Sequence, residues 1–72
     1  MHIDISIVVP LYNEEESLPE LAEWIERVCN EHGYSHEVIM VDDGSTDDSW
    51  KVVEELAGQY PAIKGIKFQR NY

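Results

Sequence analysis

The stretch Val38–Trp50, VIMVDDGSTDDSW, decides the fold of this 72-residue chain. Its first four residues are apolar and mostly β-branched, which is typical of a buried strand, and we predict that strand from Glu37 to Val41. Four aspartates then fall within the seven positions of Asp42–Asp48. Crowded like charges are unfavourable unless a ligand or backbone N–H groups bind them. The stretch therefore predicts either a ligand site or a loop held by its own carboxylates.

Upstream of this stretch the pattern is that of one strand followed by one helix. Ile5–Pro10 is short and apolar on both faces, which is typical of a strand covered on both sides. Ser17–Glu20 has the form of a capping box, with Ser17 as the N-cap and Pro19 in the first turn. Gly33 is a natural helix end. Helical spacing gives one apolar face, formed by Leu18, Leu21, Ala22, Ile25, Val28 and Cys29.

A second helix is predicted downstream of the acidic stretch. It begins near Ser45 or Thr46 and runs to about Tyr60, where a proline follows. Asp47 and Asp48 then lie in its first turn, where carboxylates interact favourably with the positive end of the helix dipole. We therefore interpret these two aspartates as structural. The apolar face of this helix comprises Trp50, Val53, Leu56, Ala57 and Tyr60.

The element order β-α-β-α-β predicts an α/β fold. The third strand is Ile63–Gln69, which alternates loosely between apolar and polar residues. We predict a Rossmann-like half-domain of the three-layer type, with a parallel sheet in the order 3-2-1 and right-handed crossovers. In that order both helices cover one face of the sheet and leave the other bare. A bare apolar face predicts that the chain is half of a larger domain and self-associates when alone.

The composition of the chain limits which partners it can bind and in which compartment we expect it. The net charge of −10 argues against binding to nucleic acid or to an anionic membrane surface. The single cysteine, Cys29, excludes an internal disulfide and fits a reducing compartment. No apolar run reaches the roughly 20 residues of a membrane span, and the N-terminus lacks the basic flank of a signal peptide. We therefore expect a cytoplasmic protein.

Three polar clusters follow the three predicted strands: PLYNEEE at 10–16, DDGSTDD at 42–48 and QRNY at 69–72. In open parallel sheets, ligands bind beyond the carboxyl ends of the strands. Of Asp42 and Asp43, one is expected to accept hydrogen bonds from the loop backbone and the other to bind a ligand, while Gly44 relieves the turn. The chain contains neither G-x-G-x-x-G nor a P-loop motif, so a dinucleotide site or P-loop site of the usual kind is excluded.

The segments ISIVVPLYNEEESL, HEVIMVDDGSTDDS and IKFQRNY together resemble, in order and spacing, the opening of family 2 glycosyltransferases with the GT-A fold. Within that family they are most similar to the polyprenyl-phosphate (dolichol-phosphate-like) sugar transferases. The resemblance covers essentially the whole chain. It implies that residues 1–72 are the N-terminal nucleotide-binding portion of a truncated glycosyltransferase domain.

The resemblance also implies a nucleoside site made of six residues: Pro10, Tyr12, Glu14, Val41, Asp43 and Arg70. Pro10 and Tyr12 would line the base pocket, and Val41 would lie against the base. Glu14 would bind the ribose or the base, and Asp43 would form a hydrogen bond with the base. Asn13 and Asp42 are assigned to shaping the loops.

The activity that the resemblance implies belongs to the longer parent protein. Arg70 would approach the diphosphate of a UDP- or GDP-linked sugar, and Mg²⁺ or Mn²⁺ is expected in the full-length enzyme. The parent would transfer the sugar with inversion to an acceptor such as a polyprenyl phosphate, at the cytoplasmic face of a membrane. The family's metal-binding and catalytic-base motifs are absent from these 72 residues, so we expect this chain to bind no metal and to be inactive alone. Two alternatives stay open: a stand-alone interaction module that self-associates through the bare sheet face, or a truncated domain with no function of its own.

Overall fold

The computed structural model describes residues 3–68 of the chain. It contains three strands and two helices in strict alternation, as predicted. Their bounds are β1 Ile5–Leu11, α1 Leu18–Glu31, β2 His36–Asp43, α2 Ser49–Gln59 and β3 Ile63–Phe68. The last residues of the predicted third strand and the QRNY segment at 69–72 lie outside the described residues.

The three strands form one parallel sheet in the order β1-β2-β3, which confirms the predicted order. The register of β1 on β2 runs from Ile5 opposite His36 to Leu11 opposite Asp42. All three carboxyl ends therefore meet at one edge of the sheet. Both connections are helical crossovers, as parallel neighbours require.

The core lies between one face of the sheet and the two helices. Val38 and Met40 of the central strand are at most 1% exposed, because both helices pack over this strand. The buried apolar cluster draws on every element and consists of Leu11, Leu18, Ala22, Ile25, Cys29, Val38, Met40, Val53, Leu56 and Ile63. Cys29 is thus a buried core thiol. The described residues form two layers, the sheet and the helices on one side of it.

The second face of the sheet is uncovered by the described residues. Burial alternates along β1 between partly buried and exposed positions, because successive side chains point to opposite faces. On the uncovered face Val8 is 61% exposed, and Ile66 and Phe68 are also exposed. This confirms the prediction that both helices lie on one side. Within residues 3–68, neither helix is long and apolar enough to cross a membrane.

The N-terminus of α1 differs from the predicted capping box. Ser17 is the N-cap residue and Pro19 lies in the first turn, but no side chain caps the helix. The Ser17 hydroxyl donates to Oε2 of Glu14 instead, at 3.3 Å. The reason is that Ser17 already has helical backbone angles, whereas a capping serine needs an extended backbone. Backbone N–H groups of Ser17 and Leu18 donate to the carbonyl of Glu14, so a turn precedes the helix.

The start of α2 was predicted too early. The helix begins at Ser49 rather than at Ser45 or Thr46, with Asp48 as its N-cap residue, and its first turn contains no acidic residue. Asp47 and Asp48 therefore precede the helix instead of lying in it. Residues 44–48 instead form a loop, and side chains of the two loops at the sheet edge bind its N–H groups at Ser45, Thr46 and Asp47.

Gly65 on β3 lets α2 approach the sheet closely. A Cβ at this position would lie 2.6 Å from Cγ1 of Val53 and 3.1–3.2 Å from the Trp50 ring. Such a contact cannot form unless the helix or these side chains move. Gly58, near the end of α2, has open space where its Cβ would be.

We predict that Gly65→Ala lowers the free energy of unfolding by about 1–3 kcal/mol, because the added methyl overpacks the α2–β3 contact. Gly58→Ala is the matched control and should raise it by about 0.5–1 kcal/mol, because alanine favours the helix. Urea unfolding followed by circular dichroism measures both changes. Equal effects of the two substitutions would contradict the proposed contact.

Candidate functional site

The loops that follow β1 and β2 meet at the carboxyl edge of the sheet. Four of the six predicted site residues line one cavity of about 240 Å³ there, together with Leu11: Pro10, Tyr12, Glu14 and Asp43. Tyr12 and Asp43, which are both predicted to contact the base, thus lie on the same side of the molecule. Ligand pockets usually measure about 300–1,000 Å³, so this open cavity has room for part of a ligand only.

The two remaining predicted site residues are Val41 and Arg70, of which the structure describes only Val41. Val41 does not line the cavity, but it is the register partner of Pro10 across β1 and β2 and is half-buried beside it. Ile66 is in turn the partner of Val41 on β3, so an apolar row runs from Pro10 across the uncovered face. Arg70 lies outside the described residues, and its predicted approach to a diphosphate stays a prediction.

The two adjacent aspartates at the end of β2 have different surroundings. Asp42 is fully buried on the helix side, and its Oδ1 accepts a hydrogen bond from the backbone N–H of Ser45 at 2.8 Å. Asp43 is the next residue, so it faces the opposite side, where it is exposed and lines the cavity. Asp42 thus binds the loop backbone, whereas Asp43 is the carboxylate of the pair that lines the cavity. Gly44 has φ +78°, as its predicted role in the turn requires.

Three consecutive backbone N–H groups of the β1–α1 loop donate to side chains of the β2–α2 loop. Asn13 N donates to Ser45 Oγ at 2.9 Å, and Glu14 N donates to Ser49 Oγ at 2.8 Å. Glu15 N approaches Oδ2 of Asp47 at 3.5 Å. Ser49 is fully buried, so its hydroxyl binds this loop away from solvent. These contacts hold the first loop against the second.

The side chain of Asn13 binds the second loop in return. Its Oδ1 accepts hydrogen bonds from the backbone N–H groups of Thr46, at 2.8 Å, and Asp47, at 3.3 Å. The Thr46 hydroxyl lies at 3.4 Å from the same oxygen. Asn13 has φ +51°, and asparagine is one of the few residues that adopt this left-handed conformation readily. We call the mutual contacts of the two loops the loop interlock, which is formed by Asn13, Glu14, Glu15, Ser45, Thr46, Asp47 and Ser49.

The loop interlock lowers the pKa of the Asp47 carboxyl group. A hydrogen bond from the Ser49 side chain is the main influence that holds the pKa of Asp47 below its usual 3.8, with partial burial acting in the opposite direction. Backbone N–H groups of Ser49 and Glu15 lower that pKa further. The Asp47 carboxylate therefore stays ionised to lower pH than an ordinary aspartate, and it acts as an acceptor for loop N–H groups. Sequence reasoning assigned it to a helix start and missed this role.

Acidic side chains also surround a second depression, of about 230 Å³, between the two loops. Glu14, Glu15, Glu16 and Asp47 line it with Asn13 and Ser17. No three acidic, histidine or cysteine side chains among residues 3–68 converge closely enough to hold a metal ion. The part of the chain that the structure describes therefore holds no complete ligand set for the divalent metal that the resemblance implies in the full-length enzyme.

A larger depression of about 460 Å³ lies along α1, but its lining does not resemble a ligand site. All of its lining residues come from α1 and its N-cap, and they include the exposed Trp24 together with Leu21 and Arg27. Ligand sites bring polar groups from several elements together in a concave, largely apolar pocket. The smaller cavity at the sheet edge, where two loops converge, is therefore the candidate ligand site.

Comparison with known proteins identifies the family. Residues 6–72 match the family described as glycosyl transferase family 2. The chain is 42% identical over 69 residues to undecaprenyl-phosphate 4-deoxy-4-formamido-L-arabinose transferase of Pseudomonas fluorescens (strain SBW25), covering 94% of this chain and 20% of that protein. It is 45% identical over 69 residues to the enzyme of the same name from Proteus mirabilis (strain HI4320), covering 94% and 21%. The chain thus spans about a fifth of these relatives' length.

A solved structure supports the same assignment. The fold is similar, with a TM-score of 0.66 and 27% identity, to that of the mannosyltransferase PcManGT from Pyrobaculum calidifontis in complex with GDP-Man and Mn²⁺. The similarity covers all of this chain and 21% of that one. The three parallel strands and two helices are therefore a Rossmann-like part of the GT-A fold. On the family match and these relatives together, the chain belongs to glycosyl transferase family 2.

Proposed function

We propose that this chain forms the nucleoside-binding part of a nucleotide-sugar site in an inverting glycosyltransferase. The observation that carries the proposal is the convergence of Pro10, Tyr12, Glu14 and Asp43 around one cavity at the carboxyl edge of the sheet. A structurally similar mannosyltransferase has been solved with GDP-Man and Mn²⁺, which supports a nucleoside diphosphate sugar as the donor class.

Each proposed contact follows from the chemistry of the side chain. The Tyr12 ring is 50% exposed and offers a flat surface to a base, next to the apolar surface of Pro10 and Val41. Glu14 and Asp43 are carboxylates at the same cavity, and they can accept hydrogen bonds from ribose hydroxyls or a base N–H. Arg70 is proposed to approach the diphosphate.

The reaction that we propose belongs to the whole protein. A sugar passes from UDP or GDP to an acceptor oxygen with inversion, and the acceptor class is a polyprenyl phosphate, since the similar enzymes are named for undecaprenyl phosphate. Mg²⁺ or Mn²⁺ is proposed to bind the diphosphate through residues beyond those described here. We place the whole protein at the cytoplasmic face of a membrane. The 72-residue chain holds only the nucleoside part of the site and is proposed to be inactive alone.

A titration with UDP and with GDP, each with and without Mg²⁺, tests this proposal. We expect backbone amide shifts concentrated in residues 10–14 and 41–45. Asp43→Asn should raise the dissociation constant for the nucleotide by about tenfold, because it replaces a carboxylate that accepts a ligand hydrogen bond. Asp48→Asn is the matched control: it removes the same charge from an exposed N-cap residue that makes no side-chain cap bond.

Two results would contradict the nucleoside site. One is the absence of shifts at residues 10–14 and 41–45 at saturating nucleotide. The other is equal weakening by Asp43→Asn and Asp48→Asn, which would mean that overall charge rather than a contact at the cavity governs binding.

The uncovered sheet face supports a second candidate, an interaction module that pairs with a second copy of itself. Val8 is 61% exposed, Phe68 54% and Ile66 45%, and all three belong to that face. An exposed apolar sheet face of this kind favours association. In this reading the oligomer forms independently of nucleotide.

Mass by light scattering tests self-association. We predict an oligomer that Val8→Lys shifts toward the mass of a monomer, because an unpaired charge would be buried in the interface. Trp24→Lys is the control, since Trp24 is 54% exposed on α1, on the other side of the molecule. A monomeric wild-type chain, or an equal effect of both substitutions, would exclude association through the sheet face.

A further inference from the structure

We propose that Asn13 is a positioning residue that holds the two halves of the nucleoside site in one fixed geometry. The inference rests on the proposed function and goes beyond it. Asn13 does not line the cavity, but it lies between Tyr12 and Glu14, which do. Its side chain binds the other loop, which follows directly after Asp43.

The need for such a residue follows from the origin of the site. Tyr12 and Glu14 belong to the β1–α1 loop, whereas Asp43 ends β2. The last paired residues of the two strands are Leu11 and Asp42, so the sheet itself fixes neither Tyr12 nor Glu14. Both of these side chains are exposed. Their directions therefore depend on the loop backbone, in which Asn13 joins them and Ser49 and Ser17 also bind Glu14.

Two features fix that backbone. The left-handed φ of +51° at Asn13 turns the chain between Tyr12 and Glu14. The Asn13 Oδ1 atom then accepts the N–H groups of Thr46 and Asp47, while the Asn13 N–H donates to Ser45 Oγ. One residue thus makes contacts in both directions with the loop that follows Asp43, and a shift of one loop is transmitted to the other.

The opposite edge of the sheet provides an internal comparison. There the Asp4 N–H donates to Ser35 Oγ at 3.0 Å, and the Ser35 N–H donates to Asp4 Oδ2 at 3.1 Å. These contacts also join the segments next to β1 and β2, but they lie at the amino ends of the strands, away from the cavity. If Asn13 only stabilised the fold, loss of either set of contacts would affect nucleotide affinity in the same way. If Asn13 positions the site, only loss of the Asn13 contacts should lower that affinity.

Three variants separate these readings. Asn13→Gly removes Oδ1 but can still adopt the left-handed backbone conformation. Its effect therefore reports the lost hydrogen bonds and not backbone strain. Asn13→Asp restores an acceptor oxygen and also tolerates a positive φ, so it should rescue the effect in large part. Ser35→Ala is the control, because it removes the hydrogen bonds of the Ser35 hydroxyl with the Asp4 N–H and with Asp4 Oδ2 at the opposite edge.

The first measurement needs no nucleotide. In Asn13→Gly we expect amide hydrogen exchange at Thr46 and Asp47 to rise by about tenfold, while the amides of Val38 and Met40 in the central strand stay protected. Through-space NMR contacts between the Tyr12 ring and Pro10 or Asp43 should weaken. Unchanged exchange at both loop amides together with unchanged Tyr12 contacts would overturn the positioning role, whether or not nucleotide binds.

The second measurement is nucleotide affinity at a temperature where every variant is fully folded by circular dichroism. Asn13→Gly should weaken binding of UDP or GDP by about tenfold, and Asn13→Asp should recover most of that loss. Ser35→Ala should bind as the wild type does, even where its unfolding midpoint falls.

The outcomes distinguish the two proposals. If Asn13→Gly binds nucleotide as tightly as the wild type, or if Ser35→Ala weakens binding as much as Asn13→Gly does, the positioning role of Asn13 is wrong. Either result leaves the proposed nucleoside site unaffected. A wild-type chain that binds neither UDP nor GDP overturns the proposed function, and the exchange and Tyr12 contacts then decide whether Asn13 fixes the loops.

Discussion

The parallel pairing of β1 with β2 sets where the two loops of the candidate site begin and which face each side chain at the sheet edge takes. It places Leu11 opposite Asp42, so two loops that are distant in the chain begin at the same edge of the sheet. The same pairing fixes which face each side chain takes, because a slip of one residue would exchange the faces. Asp42 is therefore buried beneath the helices, and Asp43 is exposed at the cavity.

The dense negative charge of Asp42–Asp48 has a structural basis in this arrangement. Asp42 accepts the Ser45 N–H, and Asp47 is bound by Ser49 and approached by a backbone N–H of the other loop. Two of the four aspartates thus bind backbone N–H groups, which offset the cost of crowding like charges. Asp48 is exposed at the start of α2, and Asp43 is the carboxylate that the fold presents at the cavity.

Local patterns in the sequence predicted the five elements, the sheet order and polar clusters at one edge of the sheet, whereas the roles of Tyr12 and Asp43 came from the resemblance to the family. Hydrophobic periodicity reports which face is buried, and strand order follows from short crossovers, so these features are encoded locally. The prediction for Ser17 failed because periodicity does not report that the Ser17 backbone is already helical. The prediction for Asp47 failed because periodicity does not report contacts between loops distant in the chain: Asn13 binds the N–H groups of Thr46 and Asp47, and α2 begins at Ser49. The sequence marks Asn13 as a loop residue without naming these partners.

The two loops at this edge are proposed to contact one nucleoside together. Intermolecular NMR contacts between protons of bound GDP or UDP and side chains of the chain test this proposal. We expect base and ribose protons to contact the Tyr12 ring and the Val41 methyl groups. Contacts with Leu21 and Trp24 on α1 instead would contradict it.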